Sequence, residues 1–322
     1  MKIRFKIRRF DPMGVESNEP YWQAYNVDVA EGMTVLEALM TIADRDDPTL
    51  SFRRSCRSAI CGSCAVRING VPKLACNTQV LPEYKKKGQM VIEPLSNYQV
   101  LKDLVVDFTP FWNKMEKVTP YLLPSKEPRG GWRIEKEDAK AIDKAQKCIM
   151  CGSCNASCNS LEVDRSFIGP SALAKAWRFV GDVREGEKKR RLQRLSEEHG
   201  VWDCVRCIHC TEYCPKDVDP LEAIENLRAR AMEENITDNP GAKHVLALVD
   251  SVNRVGRLDE AAMTFKTLGF LRSLGMIPFG LKMEIHGKMP HPILFPAIER
   301  IDEVRRIYKR TEKERKKRKK KG

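Results

Sequence analysis

The sequence predicts an α+β fold, with a β-sheet domain at the N-terminus and a helical remainder. Three observations lead to this prediction. Residues 2–10 and 21–29 alternate apolar with polar side chains, which is typical of half-buried strands. From about Glu135 onward, apolar residues recur at helical spacing. Twelve cysteines in three tight groups interrupt both regions.

The N-terminal strands are followed by a predicted helix and hairpin. Apolar side chains recur at helical spacing over residues 34–46, and Thr34 is the predicted N-cap. Two short apolar runs, at 66–68 and 71–74, flank Asn69-Gly70, which favours a hairpin because both turn positions need positive φ. Together with the cysteine loop, these elements predict a β-grasp ferredoxin domain over residues 1–107.

A linker rich in proline and glycine is predicted to follow the first domain. Helices are predicted beyond it at 173–180 and 221–232, and Ser171, which follows Pro170, is the predicted cap of the first. The predicted boundaries are a linker at 108–134, an all-helical bacterial-type two-cluster ferredoxin domain at 135–240, a helical extension at 241–304 and a basic tail at 305–322.

The net charge of +13 is concentrated in the tail. Residues 305–322 hold 12 Lys and Arg against Glu312 and Glu314, which leaves about +3 for the other 304 residues. Such a run is typically a solvated end, and it can also be attracted to an anionic membrane surface by about 1 kcal/mol per basic residue. Because no aromatic-basic interleaving accompanies it, the tail does not predict nucleic-acid binding.

Composition and spacing exclude several other classes. No apolar run approaches the roughly 18–20 residues that span a bilayer, and the first ten residues lack the apolar core of a signal peptide. The cysteines stand too close together and too regularly for a secreted disulfide framework. A thiol-reducing compartment and metal-bound thiolates are therefore expected.

The first cysteine group predicts a [2Fe–2S] centre. Its spacing, C-x4-C-x2-C with a distant fourth member, is the plant-type ferredoxin pattern. The small residues Ala59, Gly62 and Ser63 let backbone N–H groups approach the sulfides. A zinc site is the alternative, but this spacing is a poor zinc-ribbon pattern. The predicted ligands are Cys56, Cys61, Cys64 and Cys76.

The second and third groups each read C-x2-C-x2-C-x3-C, the run of bacterial two-cluster ferredoxins. Three cysteines at this spacing wrap one face of a cubane, while the fourth points away and binds the other cluster. The predicted ligands of a [4Fe–4S] cluster are Cys148, Cys151, Cys154 and Cys214, and those of the third cluster are Cys158, Cys204, Cys207 and Cys210. All 12 cysteines are thereby assigned to clusters.

Outside the cysteines, the sequence predicts no catalytic residue and no further cofactor-binding residue. His209 lies among the predicted ligands, but four thiolates are already present, so a place beside the cluster or at the surface is expected. The other histidines form no metal-binding spacing in the sequence: His199, His244, His286 and His291. There is no G-x-G-x-x-G motif and no P-loop.

By these motifs the chain resembles the iron–sulfur subunit of succinate dehydrogenase and fumarate reductase, from residue 2 to about 235. The stretches that carry the resemblance are RRSCRSAICGSCAVRING with LAC, CIMCGSC, FIGPSALAKAWRFVGD and CTEYCPKDVDP. The resemblance implies a flavoprotein partner that interconverts succinate and fumarate at FAD. It also implies electron transfer through [2Fe–2S], [4Fe–4S] and a third cluster to a quinone-linked acceptor, with the subunit peripheral on the cytoplasmic side of the inner or plasma membrane.

The chain departs from the common family pattern in three places. Most members have a non-cysteine residue at the position of Cys207 and a [3Fe–4S] third cluster, whereas the fourth thiolate here predicts [4Fe–4S]. The alternative is [3Fe–4S] held by Cys158, Cys204 and Cys210. The usual Cys-Pro after the first cubane run is Cys158-Asn159, and Val163 and Val205 replace the usual Trp and His of the quinone pocket.

The C-terminal segment carries a second resemblance. The stretches VLALVDSVNRVGRLDEA, PFGLKMEIHGKMP and IERIDEVRRIYKR look like the C subunit of heterodisulfide reductase and like iron–sulfur subunits of non-classical succinate dehydrogenases. This resemblance implies a partner with CCG domains, and a membrane-anchor subunit is the alternative partner. The alternatives are a thiol- or heterodisulfide-linked fumarate reductase subunit and a free multi-cluster ferredoxin.

Overall fold

A five-stranded mixed sheet opens the chain in the computed structural model, which describes residues 1–13, 19–288 and 296–319. β1 pairs antiparallel with β2 and parallel with β5, while β3 pairs antiparallel with β4 and β5. The alternation predicted for the first strand is confirmed, because Ile3, Phe5 and Ile7 are buried. In the spatial order β2-β1-β5-β3-β4, the strands are β1 (Lys2–Arg9), β2 (Tyr21–Asp28), β3 (Ala65–Ile68), β4 (Val71–Leu74) and β5 (Met90–Glu93).

Helix α1 (Val35–Arg45) contributes its apolar side to the same core as the sheet. Thr34 is its N-cap, as predicted, and accepts a hydrogen bond from the Glu37 amide while the Glu37 carboxylate accepts one from the Thr34 amide. The Asn69-Gly70 hairpin also forms, with φ of +50° and +82°. Strand β5 was not predicted, since its four residues give little alternation and it pairs with strands distant in sequence.

The rest of the first compact unit, Met1–Ala231, is mostly helical. The mixed α+β class with an N-terminal sheet and helical remainder is therefore confirmed. The elements are α2 (Val80–Lys87), β6 (Val100–Lys102), β7 (Val105–Val106), α3 (Thr109–Lys117), α4 (Lys136–Gln146), α5 (Ser153–Ala156), α6 (Asn159–Val163), α7 (Pro170–Val180), α8 (Lys188–Leu195), α9 (His209–Glu212) and α10 (Pro220–Glu233), whose last two residues belong to the second unit.

Two details of this region differ from prediction. The segment predicted as a linker begins with α3, which buries Phe111 and Met115 and so adds to the packed interior. Ser171 is not the cap of α7, because Gly169 occupies the N-cap and Pro170 the first helical position. The Ser171 hydroxyl instead donates to the Asn155 side-chain oxygen at 2.8 Å.

In the second compact unit, Met232–Gly322, every regular element among the described residues is a helix. The Asn239 side chain caps its first complete helix by accepting from the Ala242 amide at 2.8 Å. Across the described ranges, no helix is both long and apolar enough to cross a bilayer. His291 and residues 320–322 of the tail lie outside the described residues. The helices are α11 (Pro240–Val255), α12 (Glu260–Leu268), α13 (Phe270–Leu274), α14 (Ile277–Ile285) and α15 (Ile301–Lys319).

Candidate metal centres

The first cysteine group converges around one loop of the sheet domain. Cys56 and Cys61 lie on the loop before β3, Cys64 precedes β3, and Cys76 lies in a 3-10 turn after β4. The Cys56 sulfur accepts from the amides of Ser58, Ile60 and Cys61 at 3.3–3.4 Å. The Ala59 amide donates to the Cys76 sulfur at 3.3 Å, which ties the fourth cysteine to the loop.

The loop adopts positive φ at three residues, and this conformation directs its amides toward the cysteine sulfurs. Arg57, Ala59 and Gly62 have φ of +58°, +54° and +74°, a region that non-glycine residues adopt at a cost. The result is a ring of N–H donors facing sulfur, which stabilises negative charge on the thiolates and on anything they hold.

The pKa shifts of the cysteine thiols in this group favour metal binding over free thiols. Hydrogen bonding from Ser63 and from the Cys56 backbone lowers the pKa of Cys61 to about 6. Burial raises the pKa of Cys64 to about 12. A buried thiolate at Cys64 therefore requires a compensating cation, and a bound metal ion would supply that charge.

The second set comes from two distant parts of the chain. Cys148, Cys151 and Cys154 lie on the loop after α4 and on α5, while Cys214 follows α9. All four line one small pocket. Burial raises the pKa of Cys148, of Cys151 and of Cys154, so this site too disfavours thiolates without a cation. The Val218 amide donates to the Cys214 sulfur at 3.4 Å.

The remaining four cysteines form a third set. Cys158 is buried at the start of α6, Cys204 and Cys207 lie before α9, and Cys210 is buried within α9. Burial, with the nearby sulfurs of Cys204, Cys158 and Cys207, raises the pKa of Cys210 to about 12. The fourth cysteine of each run thus lies with the first three of the other run.

Gly62 and Cys151 bring the first two sets into direct contact. A Cβ atom at Gly62 would lie 2.8 Å from the Cβ of Cys151 and 2.9 Å from its Cα. The carbonyl oxygen of Ile149 would be 3.1 Å away. Only glycine permits this approach between the two cysteine loops, because it lacks the Cβ and tolerates the positive φ.

We expect Gly62→Ala to destabilise the protein by about 2–4 kcal/mol, since it combines backbone strain with overpacking against a cysteine backbone. Gly88→Ala is the matched control, because Gly88 has φ +69° and nothing within 4 Å of the added Cβ. Urea midpoints of the two variants would be compared. Equal losses of stability would show that the loop contact contributes nothing.

Ser96 and Asn97, which follow β5, form hydrogen bonds with the backbone of the second cysteine run. The Asn97 side-chain amide donates to the backbone oxygens of Asn155 and Cys158 at 2.9 and 3.0 Å. The hydroxyl of Ser96 donates to the Ala156 oxygen. Sequence reasoning missed Asn97 and Asn155, since no motif marks a cap supplied from about 60 residues away.

The described histidines lie in different environments, and His199 is the one that has acidic neighbours. The ligand atoms of Asp164, His199 and Asp203 lie within 4.8 Å of one another, a group able to hold a metal ion. His199 has no metal-binding spacing in the sequence, but the fold places its Nδ1 atom 2.7 Å from a carboxylate oxygen of Asp164, which lies 35 residues earlier. His209 stacks on Tyr213 with ring centroids 5.6 Å apart, and His244 and His286 are exposed.

Comparisons with known proteins agree with this geometry. The family model described as "2Fe-2S iron-sulfur cluster binding domain" matches residues 4–113, which contain the first cysteine set. The one described as "4Fe-4S dicluster domain" matches residues 144–218, which contain the other eight cysteines.

Whole-chain relatives are similar over most of their length. The 8-methylmenaquinol:fumarate reductase iron-sulfur subunit of Wolinella succinogenes is 36% identical over 83% of this chain and 85% of its own. The succinate dehydrogenase iron-sulfur subunit of Paracoccus denitrificans is 40% identical over 70% and 86%. The fumarate reductase iron-sulfur subunit of Haemophilus influenzae is 36% identical over 73% and 94%.

Among solved structures, a chain of the Mycobacterium smegmatis Sdh1 complex in the apo form has a similar fold. The TM-score is 0.66 at 23% identity, over 74% of this chain and 98% of that chain. At this identity the likeness extends to the fold alone.

Proposed function

Because the chain belongs to the iron–sulfur subunits of succinate dehydrogenase and fumarate reductase, we propose that it relays electrons between the FAD of a flavoprotein subunit and a quinone-linked acceptor. The observation that carries the proposal is the gathering of 12 cysteines into three sets of four, with Gly62 joining the first set to the second. The succinate chemistry itself is assigned to the flavoprotein.

The proposed ligands follow the three sets. Cys56, Cys61, Cys64 and Cys76 would hold [2Fe–2S]; Cys148, Cys151, Cys154 and Cys214 would hold [4Fe–4S]; Cys158, Cys204, Cys207 and Cys210 would hold a second [4Fe–4S]. Bound clusters of these types supply one-electron redox chemistry at potentials set by hydrogen bonds and burial. The chain's own part is to supply thiolates and to direct amides, such as that of Ile60, at sulfur.

The fold supports a division into two ferredoxin modules. The sheet order β2-β1-β5-β3-β4, with the apolar side of α1 in its core, fits a β-grasp domain. The crossed pairing of the two cysteine runs fits a bacterial two-cluster domain. The proposed boundaries are the linker at 108–134, which begins with helix α3, the extension at 241–304 and the tail at 305–322.

Exposed apolar side chains beside the first and third sets are suited to partner contacts. Ile60, next to Cys61, is 66% exposed, and Val205, next to Cys204, is 65% exposed. Each is a single exposed apolar side chain beside a proposed cluster ligand, where a partner that approaches the cluster would cover it. We assign Ile60 to the flavoprotein contact and Val205 to the contact with the acceptor subunit.

The acceptor subunit is proposed to carry CCG domains, with a membrane-anchor subunit as the alternative. The Wolinella relative aligns over 83% of the chain, against 70–73% for the Paracoccus and Haemophilus subunits, so the similarity extends further beyond the cysteine motifs. That relative's name links it to a methylmenaquinol. We further propose a peripheral place on the cytoplasmic side of the membrane, aided by the basic tail.

Anaerobic co-purification from the native host tests the assignment of both partners. We expect the tagged chain to retain a flavoprotein with bound FAD and succinate–fumarate activity. Ile60→Asp should reduce the retained flavoprotein by about tenfold or more, because a buried apolar anchor dominates binding energy. Val205→Asp is the matched control and should affect only the acceptor subunit. An isolated holo-protein without partners would instead support a free ferredoxin.

A further inference from the structure

Helices α12–α14 contain a stretch with an unusual composition, residues 264–283, here termed the apolar segment. It has ten large apolar residues, and its charged residues are Lys266, Arg272 and Lys282, with no acid among its 20 positions. The chain as a whole is 31% charged. A stretch that is both apolar and purely basic is therefore distinct from the surface of the rest of the protein.

The apolar side chains of this segment and of the end of α14 face solvent. Among their described residues, α12 and α14 bury no side chain and α13 buries only Ser273. Leu271 and Ile285 are each 82% exposed, and Phe270 is 69% exposed. So many exposed apolar side chains within one stretch mark a site that another molecule covers.

The positions of the exposed apolar side chains around α14 indicate whether a protein or a lipid bilayer covers them. Ile277, Leu281 and Ile285 recur every four residues and share one face, while Phe279 lies on the opposite side. All four are exposed. A groove on a protein partner accepts one face of a helix, whereas the acyl boundary of a bilayer accepts apolar side chains on several sides.

The charges favour lipid as well. Arg272 and Lys282 can extend their guanidinium and ammonium groups to phosphates while their stems stay in apolar surroundings, whereas the Lys266 ammonium donates to the Asp250 carboxylate. The basic helix α15 follows in the same compact unit and adds attraction to anionic headgroups. Helices of nine, five and nine residues are too short to span a bilayer, so they would lie in its plane.

Building on the membrane-peripheral location proposed above, we propose that α12–α14 insert their apolar side chains into the interface of an anionic lipid bilayer. The chain itself would then hold the complex at the membrane. The basic tail would strengthen this attachment by its charge, but the apolar segment would supply the part that salt does not remove.

Vesicle flotation of the anaerobically purified holo-protein tests this proposal. The vesicles would be phosphatidylcholine with or without phosphatidylglycerol, at low and high salt. We expect the triple variant Phe270→Ser, Leu271→Ser, Phe279→Ser to bind about a thousandfold or more less tightly, because each buried side chain contributes about tenfold or more. The matched control removes three exposed side chains of the first unit, Leu101→Ser, Tyr121→Ser and Ile134→Ser, and should bind like the wild type.

Deleting residues 305–322 separates the two contributions. The truncated chain should lose its preference for phosphatidylglycerol but keep salt-resistant binding. A Phe279→Trp variant should show quenching by brominated lipids beyond that of the wild type, whose five tryptophans all lie at or before Trp202.

Three outcomes would overturn the proposal: unchanged vesicle binding by the triple variant, absence of binding by the wild type, or salt-sensitive binding lost entirely with the tail. If the triple variant instead loses a protein partner and vesicles never bind, the surface is a protein-docking face. Cluster spectra and succinate–fumarate activity of the complex should stay unchanged in every variant, so failure here leaves the electron-transfer assignment intact.

Discussion

Replacing Cys207 by valine is expected to convert the third cluster from [4Fe–4S] to [3Fe–4S]. The Cys207 sulfur lies near those of Cys158 and Cys210, close enough to raise the pKa of both thiols beyond the effect of burial. Without it, three thiolates remain in the set. Iron content should fall by one atom from about ten per chain. Anaerobic iron quantitation would show the loss, and EPR of the oxidised variant should show a stoichiometric [3Fe–4S] signal.

Val205→Ala is the control for this substitution, because Val205 lies in the same loop and carries no ligand atom. It should leave iron content and EPR unchanged. If intact, anaerobic wild-type protein already gives a stoichiometric [3Fe–4S] signal, Cys207 is not a ligand, and the alternative set of Cys158, Cys204 and Cys210 is right.

Replacing Arg9 by methionine is expected to cost about 3–5 kcal/mol of unfolding free energy, because it leaves a buried charge without its partner. The Arg9 side chain is 3% exposed, and its Nε donates to Asp103, which is 1% exposed, at 2.9 Å. Its other nitrogens donate to Asp47 and to Thr49. The arginine thereby joins β1 to the loop after α1 and to the β6–β7 turn.

Urea unfolding followed by far-ultraviolet circular dichroism measures this loss. Arg4→Met is the matched control, since Arg4 lies on the exposed side of the same strand, where substitutions usually change stability by no more than about 0.5 kcal/mol. A loss below about 1 kcal/mol in Arg9→Met would show that the protein relaxes around the two carboxylates.

Short sequence motifs were sufficient to predict the elements that are stabilised by interactions between residues close in sequence. Thr34 and Glu37 form a capping box within four residues, and Asn69-Gly70 forms a turn by its own backbone preferences. Prediction was poorer for β5, whose pairing with β1 joins residues more than 80 apart. It failed at Ser171 because Asn155, which accepts its hydrogen bond, lies 16 residues away.

The cysteine spacing alone predicted how many metal centres to expect and which four cysteines would hold each. A cluster needs thiolates at fixed separations, so the loop lengths between ligands are constrained and can be read directly from the chain. The membership of Cys207 could also be read in this way, because it stands at the x2 position of its run.

Only the tertiary structure decided how the centres are placed and supported. The contact of Gly62 with Cys151, the hydrogen bonds from Asn97 and the meeting of Asp164 with His199 join residues 35 to 89 positions apart. Contacts of this kind depend on how whole elements pack, and packing is set by the summed burial of many side chains. Because a short motif does not contain this information, the sequence predicted the cluster ligands, and only the fold showed how the three sets of cysteines come together.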